Sequence, residues 1–368
     1  MTAIIKHNRP ARIDLTRRYA LLPGARVIAR GPDAVQIGTD PPRSVVLHRA
    51  PRESLGILNR LDGGRSAGEV LSDHDADPLV WNDVLARLLA ADLLVDMAVD
   101  ADVWTAPAGG NGHLSAERTA LAHRHGSGAA ARMLQARDDA LVVVLGSSPV
   151  AVGIATGLAA AGVGHIHHQP DRVVVPPLTA PAAAIITASV SWTANALRVR
   201  DATALRDTTA VAALLRQVSA SVRVHAPAAH QCPTLVVLAG RSPPDLGVAA
   251  ALSRDRIPHL AVHAGAVRAV VGPLVLPGRS SCLSCAHRHR TDADPGWPTV
   301  ARTVTDHEID APAFLAAAAA ALAVGQILDH LDGAACPAAV DGTLEWSCGD
   351  TAARRRTWPV HPDCGCHA

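Results

Sequence analysis

From residue 140 onward the chain alternates short apolar runs with longer helical ones, and this alternation constrains its fold more than any other feature. Leu141 to Leu145, Val163 to His167, Val222 to His225, Leu235 to Ala239 and His259 to His263 read as strands. Val150 to Ala161, Ala204 to Gln217 and Leu246 to Arg254 read as helices between most of them. Strands separated by helices cannot pair as hairpins, so the pattern predicts an α/β fold with a Rossmann-like, mostly parallel and doubly wound sheet. A further helical stretch near Ala116 to Ala136 leads into it.

The region before it has a different pattern. Val27 to Arg30, Val35 to Gly38 and Val45 to His48 read as three strands joined by Gly-Pro-Asp and Asp-Pro-Pro turns. Three helical patterns follow. Leu55, Leu58 and Leu61 stop at Gly63-Gly64, Ser66 is placed to cap a helix through Leu71, and Leu79 to Leu94 is longer. Three strands and three helices suggest a small winged-helix-like α+β module. The Pro- and Gly-rich run Thr105 to Gly112 reads as a linker, giving a module over 1–104, a linker over 105–118 and a sheet domain over 119–368. A length of 368 residues accommodates two such domains.

Winged-helix modules often bind DNA, and the charges argue against it here. Gly24 to Ala98 holds eight Arg, no Lys and eleven Asp or Glu, and its last helix offers only Arg87 as a base. Reading a duplex takes several basic and polar side chains on one helix. The whole chain has formal net charge +1 and only eight aromatic residues, so neither phosphate attraction nor base stacking is supported. A peptide groove between the third strand and the last helix, using strand addition, fits the composition better. The N-terminus lacks the apolar segment of a secretory signal, and the Ala-rich run 311–325 is short for a membrane span, so no membrane partner and a cytoplasmic location are expected.

Two groups of residues carry recognisable chemistry. Leu141 to Ala151 is a strand, turn and helix of the dinucleotide-binding kind, where Gly is wanted at the first, third and sixth motif positions. Gly146, Ser148 and Ala151 occupy them. Ser148 puts a side chain where a phosphate should approach, and Pro149 removes an N–H near the helix start. The acidic residue that should hold a ribose has one candidate, Asp171, just after a Pro. A scaffold without tight nucleotide binding is therefore expected, and ATP as a cofactor is not.

The second group is Cys282-Leu-Ser-Cys285 with Cys364-Gly-Cys366. Two such pairs make a four-thiolate tetrahedral site with no open position, so they predict one structural zinc that staples the C-terminal tail to the sheet domain. His361 or His367 could replace one ligand. Cys232, Cys336 and Cys348 are expected to be ordinary buried thiols.

Val142 to Ala161, Ala161-Gly-Val-Gly164, Val271-Gly-Pro-Leu-Val275, the cysteine pairs, and the stretches Cys282 to Pro298 and His361 to Cys366 together resemble the ThiF superfamily, which includes ubiquitin-activating enzymes. They are most similar to its cyclodehydratase-type branch, associated with azole-forming peptide natural products. That resemblance implies an N-terminal element that binds a precursor leader peptide. Carried over by position, this element would involve the strand Val45 to His48 and the helix Trp81 to Leu89, with Val45, Leu47, Trp81, Leu85 and Leu88 as contacts. The resemblance also implies a separate YcaO-type partner that uses ATP, and pairing of two copies through the sheet domain. The flat Ala-rich helix at 311–324 would serve such pairing or be buried within one chain. Active adenylyltransferases of the superfamily carry an Asn-x-x-Arg-Gln element, absent from Pro176 to Ala188, and a metal-binding Asp where Gly240-Arg241 stands. The expectation is thus a zinc-stabilised, non-catalytic ThiF-like scaffold for a leader peptide. The alternatives are an active ATP-dependent adenylyltransferase acting on a C-terminal carboxylate, and a winged-helix transcriptional regulator.

Overall fold

The computed structural model describes residues 13–39, 43–98, 114–170, 202–228, 230–240, 242–304, 311–333 and 336–367. The chain divides into two compact units, Met1–Met133 and Leu134–Ala368. The linker expected at Thr105 to Gly112 lies outside the described residues, as do Asp171, Pro176 to Ala188 and Arg241.

In the first unit, β2 (Val27–Ala29), β3 (Ala34–Ile37) and β4 (Val45–His48) form an antiparallel sheet with β4 at its edge. Helices α1 (Ser54–Arg60), α2 (Ala67–Ser72) and α3 (Pro78–Ala90) follow. Ser66 and Glu69 make a reciprocal capping box at the start of α2. Asp77 caps α3 and Pro78 supplies its first residue. A second antiparallel sheet, which the sequence patterns did not signal, sets β1 (Arg18–Leu21) between β5 (Asp62–Ser66) and β6 (Leu94–Asp96). The third helix therefore stops short of Leu94: Asp92 takes a left-handed φ of 52° and sends the chain into β6. Ile57, Leu58, Trp81, Leu85 and Leu88 are fully buried and make the core with Val35, Ile37 and Leu47.

The stretch expected as one helix near Ala116 to Ala136 is two, α4 (Ser115–His125) and α5 (Ser127–Asp139), broken at Gly126 with φ 89°. The second unit then builds one seven-stranded sheet in the order β13-β12-β11-β10-β9-β7-β8. β8 (His165–Gln169), β7 (Leu141–Leu145), β9 (Leu235–Ala239) and β10 (His259–Ala264) run parallel. β11 (Arg268–Val275), β12 (Gly342–Ser347) and β13 (Arg354–Thr357) extend it antiparallel. Val222 to His225 is not a strand; a single bridge from Arg223 to His165 takes its place.

Both faces of this sheet are covered, as alternation along β7 requires. Val142 and Val144 pack with α6 (Pro149–Ala160) and the long α11 (Ala313–Asp332). Leu141 and Val143 pack on the other face with α8 (Leu246–Arg254) and the first turn of α9 (Leu283–Ala293). Gly153 and Gly157 let α6 approach α11 closely, since a Cβ at either would lie 2.9 Å from Ala320 or Val324. Alone among the described helices, α11 is long and apolar enough to cross a membrane, but Leu315, Ala316, Ala319, Ala320 and Ala323 are buried in the unit's own core. α7 (Ala202–Val218) and α10 (Trp297–Val304) complete the helices.

Candidate metal centre and nucleotide turn

The four cysteines of the two pairs converge. Cys282 stands at the residue before α9 and Cys285 lies in its first turn, while Cys364 and Cys366 arrive from the C-terminal tail. Their sulfurs lie within 4.8 Å of one another, with Sγ–Sγ separations of 3.8 Å for Cys282–Cys285, 3.6 Å for Cys282–Cys364 and 3.5 Å for Cys285–Cys366. None is a disulfide, which needs about 2.05 Å. Four sulfurs at about 2.3 Å from one ion stand about 3.8 Å apart along the tetrahedron's edges. The donor set and spacing therefore fit one tetrahedral ion with no position left for substrate.

The electrostatics point the same way. Burial and the neighbouring thiols Cys285 and Cys282 push Cys364 up to about 11, and burial pushes Cys366 up further. Burial also opposes ionisation of Cys285, but hydrogen bonds from the His361 and Cys282 backbones outweigh it. Thiols packed this closely resist ionisation unless a cation compensates their charge.

His361 is not a fourth-ligand substitute. Its Nδ1 accepts the Asp363 N–H at 3.1 Å, which leaves the proton on Nε2, and Nε2 donates to Asp292 at 2.8 Å. Both ring nitrogens are spent bracing the tail against α9. The His361 carbonyl also accepts the Cys364 N–H. Asp292 was not legible as part of this arrangement; its signal was only its position two turns after Cys285 on the same helix. The side chain of His367 lies outside the described residues. Cys232, Cys336 and Cys348 are exposed, contrary to expectation, because each lies in a loop or at a strand end and not on an inward-facing position.

The turn after β7 is closed by its own groups. Gly146 donates its N–H to the Gln169 carbonyl and accepts the His168 Nε2 proton at 2.8 Å. Ser148 caps α6, its Oγ accepting from the Ala151 N–H at 3.3 Å and its carbonyl accepting from Val152. Pro149 has no N–H to give. Gly146 itself is demanded by packing: its φ is 144° and a Cβ there would lie 1.8 Å from the Ala239 carbonyl oxygen.

Of the residues expected to meet a peptide, Leu47, Trp81, Leu85 and Leu88 belong to the first unit's core, and Val45 on the β4 edge is half-buried.

No protein-family model matches this sequence, and no curated protein does. Solved structures match its fold. MccB of E. coli in its ATP-bound structure aligns at TM-score 0.62 with 14% identity, over 95% of this chain and 99% of MccB. The Microcin C7 biosynthetic enzyme MccB in complex with N-formylated MccA aligns at 0.60 with 14% identity and the same coverage. PaaA aligns at 0.61 with 16% identity, over 91% of this chain and 98% of PaaA. The fold is ThiF-like. At these identities the likeness is one of fold, and the ThiF-like architecture expected from the glycine and cysteine stretches is borne out at that level.

Proposed function

We propose that this chain is a zinc-stapled, cytoplasmic, ThiF-like scaffold of the cyclodehydratase type, which binds a precursor leader peptide and presents it to a YcaO-type partner for azole or azoline formation. The observation that carries the non-catalytic part is the closed turn at Gly146 to Val152. Of the four N–H positions at the start of α6 that lack a partner within the helix, one is a proline and one is satisfied by the Ser148 Oγ, so only two remain to hold a phosphate. Zinc is the ion that four thiolates at these spacings suit best, and its place in the scaffold is structural.

The peptide reading rests on the first unit. β4 pairs with β3 on one side only and stands at the sheet edge, so its outer backbone groups suit strand addition. Because Trp81, Leu85 and Leu88 are committed to the core, they would support the groove from beneath while Val45 and Val46 meet the peptide. Pairing of two chains through the sheet domain belongs to the same reading; Phe314, 58% exposed at the start of α11, is available to it.

The second reading is an active adenylyltransferase, favoured by the ATP-bound structure of MccB. Calorimetric titration of the zinc-loaded full chain with Mg-ATP separates the two. Absence of binding in a folded sample is the expected result. Micromolar binding would overturn the scaffold reading and place adenylyl transfer first.

A further inference from the structure

A cavity of about 390 Å³ opens in the second unit, lined by side chains of both charges. Ser284, His287, Arg288 and Asp292 line it along one face of α9. Asp363 lines it from the C-terminal tail, and Leu246 of α8 and Pro298 of α10 supply apolar surface. The volume lies within the range of small-molecule sites.

The polar groups of the lining are only partly used. Trp297 donates its Nε1 proton to His287 Nδ1 at 3.1 Å, which fixes the imidazole with its own proton on Nε2. The Nε2–H of this cavity-lining ring makes no hydrogen bond among the described residues. Arg288 and Asp292 stand one helical turn apart yet form no ion pair; Asp292 is held instead by the buried His361. Arg288 and Asp363 use none of their side-chain hydrogen-bonding capacity among the described residues.

We propose that this cavity binds a free α-amino acid with an aliphatic side chain. The carboxylate would lie against the Arg288 guanidinium and the His287 Nε2–H, the ammonium group between Asp292 and Asp363, and the side chain on Leu246 and Pro298. Donors and carboxylates gathered around one cavity favour a ligand with both charges over a simple anion or cation. The proposal does not depend on the leader-peptide reading.

The test is calorimetric titration of the zinc-loaded full chain with L-leucine, L-leucinamide and N-acetyl-L-leucine. L-leucine should bind saturably at millimolar concentrations or below, with each blocked form weaker by about tenfold or more. Arg288→Ala should abolish the preference for leucine over leucinamide. Asp292→Asn, which keeps an oxygen for the His361 proton, should shrink the preference over N-acetyl-leucine. Arg288 and Asp292 are exposed, and zinc content and far-UV circular dichroism check that both variants remain folded. No saturable binding of leucine, equal binding of the blocked forms, or an unchanged preference in folded Arg288→Ala would overturn the proposal.

Discussion

A methyl group on Gly146 would have nowhere to go: the Ala239 carbonyl oxygen stands 1.8 Å from the position of its Cβ, and the φ of 144° disfavours any side chain. Gly146→Ala should therefore cost at least about 3 kcal/mol. Gly325, inside α11 with open space around it, is the opposite case. Gly325→Ala should stabilise by up to about 1 kcal/mol, because only the helix propensity changes. Guanidinium unfolding of both variants checks the pair, and equal effects would show that the close approach of β7 and β9 is not what retains this glycine. Buried histidines make a second residue-level prediction. Burial pushes His167 and His259 down to about 4 from the ordinary 6.5. Between those values the unfolded chain binds more protons than the folded one, so stability is full above pH 6.5 and falls as pH drops toward 4, by about 3 kcal/mol for each ring. His259→Gln should lose less stability than the parent chain between pH 7 and pH 4.5, measured by denaturant unfolding at both; identical losses would refute the assignment.

At the scale of elements, one buried ion pair ties three helices together. Arg137 on α5 meets Asp332 at the end of α11 through two bonds, 2.8 and 2.7 Å, and donates a third to the Ala161 carbonyl at the end of α6. Both side chains are 2% exposed. Asp332→Ala removes the bidentate Asp332 carboxylate from a buried guanidinium and should cost about 3–5 kcal/mol. Adding Arg137→Met should recover much of that loss; a double variant as unstable as the single would mean that Arg137 acts through its packing alone. Neither residue stood out in the sequence, because a charge gives no sign of burial until its helix is placed. Elements whose signals were local were legible. The Ser66 cap, the strand at Leu235 to Ala239 and the helix at Leu246 to Arg254 all formed where their patterns put them. Those that depend on distant partners were not. β5 has the sequence Asp-Gly-Gly-Arg-Ser, which has no strand propensity, and is a strand because β1 lies beside it. β8 begins two residues later than its apolar run, since Val163 donates back to Leu158 to close α6. The cysteine cluster was legible because ligand spacing is chemistry written locally, whereas the His361–Asp292 brace joins residues 69 apart.

The whole molecule has two compact units, and every thiol of the metal centre belongs to the second. Cys282 and Cys285 pack with Leu141, Val143, Val236 and Leu238 on one face of the large sheet, so the ion would fasten the C-terminal tail onto that core. Binding of an ion to the folded state alone is folding free energy, which removal takes away. The first unit has its own core around Trp81, Leu85 and Leu88 and owes nothing to that ion. Chelation, or Cys282→Ser and Cys364→Ser, should therefore act unequally along the chain. The expected outcome is one zinc per chain in protein purified without chelator. After its removal, hydrogen exchange should quicken in segments of β10, β11 and α9, while α1 and α3 keep their protection. Mass spectrometry of exchanged peptides reads both units in one sample. Uniform loss of protection would mean that the units unfold as one. Unchanged protection everywhere, with no metal found in the parent protein, would mean that the four sulfurs are close without holding an ion, and the structural-zinc assignment would fall.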